Sequence, residues 1–109
     1  MNKSDIILPR SAINDQRIDN WLFRSRIIKS RAKAQKIIFD GLVKINKIKI
    51  SKSSIKIKIG DIVTLNNIDN IIIFSVQSFA NKRLSAKEAI NLYKKIKIVW
   101  GYKLNDKIF

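Results

Sequence analysis

Two stretches early in the chain carry apolar residues at helical spacing, which predicts a pair of short helices. The first is expected from about Arg17 to Arg26, because its apolar positions recur at intervals of three, four and seven residues and so share one face. That face carries Ile18, Trp21, Leu22 and Ser25. The second is expected to begin after Ser30, a good N-cap, and to end at Gly41, which accepts the left-handed conformation common after helices.

After the second helix, the apolar pattern changes from helical spacing to alternation, which predicts strands. Asn46 and Lys47 separate two short apolar runs, and asparagine tolerates the left-handed conformation of a tight hairpin turn. Further strands are expected over residues 55–59, 62–65 and 71–76, of which the last is the most apolar and therefore central. The predicted fold class is α+β, with a helical hairpin packed on a small, mainly antiparallel sheet.

A third, C-terminal helix is predicted after Ser85, because Glu88 stands at the position that completes a capping box. Its expected apolar stripe consists of Ala86, Ala89, Ile90, Tyr93 and Ile96. The stripe is expected to dock on the domain, with a partner-binding face as the alternative. For residues 97–109, the sequence leaves open a final strand or a tail. At the other end, Asn14 and Asp15 are expected to cap the first helix.

Packing of the two helices is expected to separate an apolar side from a cationic side. The residues expected at the contact are Trp21, Leu22, Ile28, Ile37 and Ile38. The cations left on the other surface are Arg17, Arg24, Arg26, Lys29, Arg31, Lys33 and Lys36. Only Asp19 and Asp40 oppose them. A solvated helix face usually mixes both signs to gain ion pairs, so this surface is better explained as one that binds a polyanion.

The charge of the whole chain supports the same interpretation. The 109 residues carry a formal charge of +15, and thirteen of the 23 Lys and Arg residues lie between residues 17 and 60, against two Asp. Basic charge concentrated on one face of a small domain is typical of a nucleic-acid-binding protein.

Several other classes are disfavoured by residues that the chain lacks. It has no cysteine and no histidine, which removes disulfides, thiolate zinc sites and the usual general base. No paired acid and base and no glycine-rich phosphate loop is recognisable, so neither catalysis nor a cofactor, metal or small-molecule substrate is expected. Residues 1–16 lack the apolar core of a secretory signal, and the longest apolar run, 71–74, is too short for a membrane span. A cytoplasmic protein is therefore expected, and membrane binding is disfavoured because the apolar helix faces are needed for the core.

A series of short motifs resembles the alpha-L RNA-binding domain, the type named after the fourth protein of the small ribosomal subunit. The matching residues are Arg17-Ile18-Asp19, Trp21-Leu22, Arg24, Lys29-Ser30-Arg31, Ala34-Gln35, Gly41-x-Val43, Asn46 and Gly60-Asp61. Residues 82–89 with Leu92-Tyr93 extend the resemblance to the small stand-alone family of the ribosome-associated heat-shock protein fifteen. The departures are Ile18, Asn20 and Ser53, where leucine, lysine and proline are usual.

The resemblance implies a domain organisation and a function. The expected segments are a flexible N-terminal tail at 1–14, an alpha-L RNA-binding domain at 15–79, and a basic connection with a C-terminal helix and tail at 80–109. Members of this family bind structured RNA by recognising the shape and the backbone of the RNA. Its heat-shock members bind free large ribosomal subunits that still carry a nascent chain on transfer RNA. The resemblance therefore implies a non-catalytic partner of large-subunit ribosomal RNA, with transfer RNA as a further candidate partner. The protein is expected to be a monomer. A general structured-RNA or DNA-binding regulator is the alternative.

The candidate RNA-binding residues are mostly cations, because Lys and Arg hold phosphates without reading sequence and Arg grips them with a planar fork. On the helices they are Arg17, Arg24, Arg26, Lys29, Ser30, Arg31, Lys33 and Lys36. On the hairpin and the following loop they are Lys44, Asn46, Lys47, Lys49 and Lys52, and on the later connection Lys82 and Arg83. For Ser30 and Asn46, helix capping and turn formation are alternative roles. Phe23 and Trp21 are the nearby aromatic residues, of which Trp21 is expected in the core.

Overall fold

Two short helices at the start of the fold form the predicted hairpin. A computed structural model describes residues 14–100, so that the expected tail up to residue 13 and residues 101–109 lie outside the described part. The first helix, α1, spans Ile18–Arg24, and the second, α2, spans Arg31–Phe39. The Ser30 hydroxyl accepts a hydrogen bond from the Lys33 N–H at 3.0 Å, and Gly41 has a φ of +78°, so both predicted boundaries of α2 are confirmed.

The start of α1 differs from the prediction. Asp15–Arg17 form a short strand, β1, and no side chain caps α1. Instead, the N–H of Ile18 donates to the carbonyl of Ile55 at 2.8 Å, and that of Asp19 donates to Ser53 at 3.4 Å. Carbonyls of a distant loop therefore satisfy the first helical donors, which a side-chain cap would otherwise serve.

Five antiparallel strands form the main sheet. In chain order they are β2 (Val43–Ile45), β3 (Ile48–Lys49), β5 (Ile62–Asn66), β6 (Asn70–Val76) and β7 (Tyr93–Trp100), and their order in the sheet is β3-β2-β5-β6-β7. The central position predicted for residues 71–76 is confirmed. Strand β4 (Lys56–Lys58) lies outside this sheet and pairs with β1. The buried Ile57 of β4 thereby joins the core beside α1. For the residues of β1, the sequence predicts a helix cap and a helix start instead of a strand.

The third helix is much shorter than predicted. Helix α3 spans Ala86–Ala89, and the predicted Ser85 cap is confirmed, because the Ser85 hydroxyl accepts from the Glu88 N–H at 3.3 Å. The same hydroxyl donates to the Glu88 carboxylate at 2.9 Å. A 3₁₀ turn follows, and the chain then enters β7. The predicted helical stripe through Tyr93 and Ile96 is therefore wrong, because pairing with β6 along seven registered positions outweighs the helical spacing of a few apolar residues. The sequence predicts a segment boundary between residues 79 and 80. Strand β6 precedes this boundary and β7 follows it, and the two strands pair in the main sheet.

The predicted two-residue hairpin turn between β2 and β3 is confirmed. Asn46 and Lys47 have φ values of +50° and +72°, as a type I′ turn requires. The Asn46 amide also reaches the next turn, since it donates to the Asp61 carboxylate at 3.1 Å and accepts from the Ile62 N–H at 2.9 Å. Asp61 in turn accepts from the Lys58 N–H at 2.8 Å. The Asn46 side chain therefore ties two turns together.

Asn46→Ala is expected to lower the free energy of unfolding by about 2 kcal/mol. Roughly half of the loss comes from the left-handed backbone, which alanine adopts poorly, and half from the lost hydrogen bonds. Asn46→Gly is the matched control, because glycine keeps the backbone freedom and loses only the side chain. Urea unfolding of both variants measures the two contributions, and an alanine variant as stable as wild type would contradict this role.

Candidate nucleic-acid interface

The turn between the helices and the first turn of α2 present exposed cations. The helical hairpin is anchored in the core, because the side chains on its inner side have no solvent-accessible surface. They are Ile18, Trp21, Leu22 and Ile38. Lys29, Arg31 and Lys33 are exposed, and within residues 14–100 no carboxylate lies within ion-pair distance of them. These three side chains, called the hairpin cations below, form a surface that can bind an anion without first giving up an acidic partner.

Two of the predicted site cations do have acidic partners. Arg17 pairs with Asp19 at 2.8 Å, and Lys36 pairs with Asp40 one helical turn later at 3.1 Å. The Lys36–Asp40 pair is exposed and therefore weak, so a phosphate could displace the carboxylate. The Arg17–Asp19 pair is different, because the Asp19 carboxylate is fully buried.

Asp19 is a structural anchor of the interface. The sequence identifies it as an opposing acid and as a motif residue, but not as one of the site residues. Its carboxylate accepts from Arg17 through two hydrogen bonds of 3.1 and 2.8 Å, from the Gln35 amide at 3.0 Å and from the Asn20 N–H at 2.8 Å. It therefore positions Arg17 and joins α1 to α2. The signal in the sequence was its place three residues before Leu22, which puts Asp19 at the border of the apolar face.

Asp19→Asn is expected to destabilise the fold by about 2 kcal/mol at neutral pH, because a neutral amide cannot replace charge-assisted bonds. Burial alone would raise the pKa of the Asp19 carboxyl, but the hydrogen bonds from Arg17, Gln35 and Asn20 together lower it below its ordinary value. The carboxylate thus contributes fully above the ordinary pKa of about 4, and its contribution disappears as the pH falls through the lower folded value.

The stability difference between wild type and Asp19→Asn should therefore be constant from pH 7 to about pH 5 and should narrow at more acidic pH. Chemical denaturation at several pH values checks this. Asp69→Asn is the control, since Asp69 is exposed in a surface turn and should change stability little at any pH. A difference that widens towards acidic pH would contradict the assigned role.

Three arginines of the predicted site hold the chain after β6 against the helical hairpin. Arg24 donates to the Ala80 carbonyl at 2.9 Å, Arg26 to the Leu84 carbonyl, and Arg83 to the Phe23 carbonyl at 3.1 Å. Burial, reinforced by repulsion from Arg31, lowers the pKa of the Arg24 guanidinium. A guanidinium has five N–H donors, so each arginine can still contact a phosphate, but its first task is to fasten residues 80–84.

The ring of Phe23 makes cation–π contacts with arginines from two segments that are far apart in the sequence. The guanidinium carbon of Arg83 lies 4.7 Å from the ring centre, and that of Arg31 lies 5.5 Å from it. Arg83 therefore joins the helical surface, rather than forming a remote second contact. Lys82, beside it, is exposed.

The structure does not bring the strand lysines of the β2–β3 hairpin to the hairpin cations. Lys44 and Lys49 are paired across β2 and β3, and Val43 and Ile45 on either side of Lys44 pack in the core. Because neighbouring residues of a strand point to opposite faces, Lys44 projects from the face away from the helices. The side chain of Lys49 lies beside Gly41, at the opposite end of α2 from Arg31 and Lys33. Lys47 lies at the exposed tip.

Lys52 is the member of this group that lies near the start of α1. It belongs to the loop whose residues Ser53 and Ile55 accept from the first N–H groups of α1. The loop therefore places an exposed lysine beside the start of the helical hairpin. Ser30, by contrast, uses its hydroxyl oxygen for the cap of α2, and its O–H remains a donor.

Within residues 14–100, no three carboxylates lie close enough together to hold a metal ion. In the same part of the chain, none of the helices has the length and apolar character needed to cross a bilayer.

Comparisons with known proteins agree with this geometry. Residues 16–63 match the family model of the S4 domain. Among solved structures, the chain is similar to heat shock protein 15 of Vibrio cholerae, which was solved as a trimer, with 25% sequence identity and a TM-score of 0.69. The match covers 86% of this chain and 90% of the other. No curated protein matches significantly.

Proposed function

Because this chain carries an S4 domain of the alpha-L RNA-binding type and has the fold of heat shock protein 15, we propose that its RNA is structured ribosomal RNA, bound without catalysis. The observation that carries the proposal is the set of hairpin cations, which have no acidic partner within residues 14–100. Backbone contacts of this kind read the shape of an RNA helix and its phosphates rather than its base sequence.

The positions of the cations support docking by rigid elements rather than by a flexible basic tail. Arg31 and Lys33 lie in the first turn of α2, whose N-terminus is fixed by the Ser30 cap. Arg17 is held by Asp19, and Arg83 is held on Phe23. Side chains that are already positioned lose less conformational freedom on binding, which favours recognition of a defined RNA shape.

The finer part of the proposal concerns the ribosomal particle to which the bound RNA belongs. We propose that the protein binds the large ribosomal subunit, as the resemblance to the heat-shock protein fifteen family implies. It would act there in the rescue or recycling of stalled subunits that carry a nascent chain on transfer RNA. The proposed location is the cytoplasm, in association with ribosomes. The monomeric state expected from the sequence stays a prediction, and the trimer is a property of the Vibrio cholerae protein.

Co-sedimentation with purified ribosomal subunits tests the proposal. We expect the protein to pellet with large subunits in preference to small subunits and intact ribosomes, and crosslinks mapped to nucleotides should cluster on one RNA site. Competition with duplex DNA and with a generic structured RNA is the control. Equal displacement by all competitors would favour the general regulator, and failure to pellet with any ribosomal particle would contradict the proposal.

A further inference from the structure

A groove opens between the turn of the helical hairpin and the β6–β7 ribbon. Its volume is about 420 Å³, within the range typical of small-molecule sites. Its apolar floor contains Ile28, Ile37, Leu65, Ile72, Phe74 and Tyr93. The rings of Phe74 and Tyr93 meet edge to face, with centres 5.2 Å apart, so the floor is aromatic as well as aliphatic. None of these residues is among the candidates that the sequence suggested for RNA binding.

The rim of the groove carries cations from three separate elements. Arg26 and Lys29 come from the helical turn, Lys33 from α2 and Lys95 from β7, and the described lining contains no Asp or Glu. Lys29 and Lys33 also belong to the hairpin cations, so the groove opens onto the surface proposed to hold the RNA backbone. An apolar floor under a cationic rim fits a ligand with a flat, weakly polar body attached to an anionic chain.

The helical side of the groove is fixed before any ligand binds. Arg26 has a φ of +62°, an unusual backbone for a residue other than glycine, and its side chain is hydrogen-bonded to Leu84. The N–H of Ile28 donates to the Leu22 carbonyl at 3.0 Å. Unusual backbone conformations persist only where the surroundings enforce them, and they are concentrated at binding sites.

The β6–β7 register extends the floor beyond the groove. Lys95 pairs with Phe74, Ile98 with Ile72, and Trp100 with Asn70, and residues directly opposite in a sheet share a face. The indole of Trp100 is 67% exposed at the end of this row, whereas Trp21 is fully buried. A large exposed aromatic in line with the groove offers a stacking surface for a neighbouring base.

We propose that this groove binds one unpaired nucleotide of the RNA, with its base on the apolar floor and its flanking phosphates on Lys29, Lys33 and Lys95. The inference rests on the proposed RNA-binding function and specifies the feature that the protein selects. An extrahelical base is already unstacked, so transferring it to the groove costs less than extracting a paired base. Charge complementarity disfavours a second copy of this chain, whose net charge is +15.

The experiment compares two RNA duplexes of the same sequence, one fully paired and one with a single bulged 2-aminopurine. We expect wild type to bind the bulged duplex about tenfold more tightly, the usual effect of stacking one base on a protein. The emission of the bulged 2-aminopurine should also change on binding. Equal affinities with unchanged emission would overturn this inference while the proposed function stands, and no binding to either duplex would overturn both.

Two lysines of β7 provide matched variants. Lys95 pairs with Phe74 on the groove side, whereas Lys97 pairs with Ile73 on the opposite face, and both side chains are exposed. Lys95→Glu is expected to reduce the tenfold preference to about twofold or less, whereas Lys97→Glu should keep it. A preference lost equally in both variants would reflect total charge alone and would overturn the proposal.

Ile72→Trp adds a second test, because it fills the groove without changing any charge. The variant should lose the preference for the bulge and keep its affinity for the paired duplex. If the preference remains and a self-associated species disappears on sedimentation, the groove belongs to a second copy of the chain and the proposal is wrong.

Discussion

Replacing both Arg31 and Lys33 by glutamate is expected to weaken RNA binding about one hundredfold. An exposed charge facing a phosphate contributes about 0.5–1 kcal/mol, and reversal removes two attractions and adds two repulsions. The sum, about 2–4 kcal/mol, corresponds to a loss of roughly one and a half to three decades in affinity. Fluorescence anisotropy with a labelled RNA duplex measures the loss directly.

The same double substitution should leave the fold intact. Arg31 and Lys33 are exposed positions of the first turn of α2, which contains no acidic residue. Acidic side chains are favoured there by the helix dipole, and Lys33→Glu completes a capping box with Ser30. Thermal unfolding should therefore occur at the same temperature as in wild type or slightly higher. A weakened affinity cannot then be attributed to unfolding.

The matched control reverses two lysines on the other face of the sheet. Lys94 and Lys97 pair with Ser75 and Ile73, and both are exposed. Lys94→Glu with Lys97→Glu changes the net charge equally but should lower affinity less than tenfold. Equal losses in the two double variants would show that net charge, rather than the helical surface, governs binding.

The structure also shows why Arg24 is a poor target for this test. The helical spacing places it on the cationic side of the hairpin, but its guanidinium is partly buried and donates to the Ala80 carbonyl. A glutamate there would place a carboxylate against a carbonyl oxygen, so lost binding would be mixed with lost stability. Periodicity places Arg24 on the cationic surface but gives no sign of this contact.

Local features of the fold were predictable because their causes are local. The Ser30 cap, the positive φ at Gly41, the turn at Asn46 and the Ser85 cap each depend on a few neighbouring residues. The apolar side of the helical hairpin followed from spacing alone, and Trp21 is in the core as expected.

Features that depend on distant partners were not predictable in this way. Asp15–Arg17 becomes a strand only because Lys56–Lys58 lies beside it, and Tyr93 leaves the helical pattern because β6 provides a partner for an edge strand. Likewise, composition identified the site cations as a group but could not separate Arg26, which fastens Leu84, from Lys29, which has no acidic partner within residues 14–100.

RNA affinity is also expected to fall by roughly three decades between 50 and 200 mM salt, if the surface contacts about six phosphates. Each contact releases condensed counterions, so the logarithm of the binding constant falls linearly with the logarithm of the salt concentration, with a slope of up to about 0.9 per phosphate. Anisotropy titrations at four or five salt concentrations give this slope. An affinity that stays constant over this range would contradict binding through the hairpin cations.

The slope also shows which residues make the contacts. Reversal of Arg31 and Lys33 should reduce its magnitude by about two, because two phosphate contacts are lost, whereas reversal of Lys94 and Lys97 should leave it unchanged. The affinity at one salt concentration responds to any change in the electrostatic field of the protein. The slope of the salt dependence instead counts the phosphate contacts that are lost. If the control variant lost as much slope as the helical variant, the phosphates would lie on the open face of the sheet, next to Lys94 and Lys97, rather than on the helical hairpin.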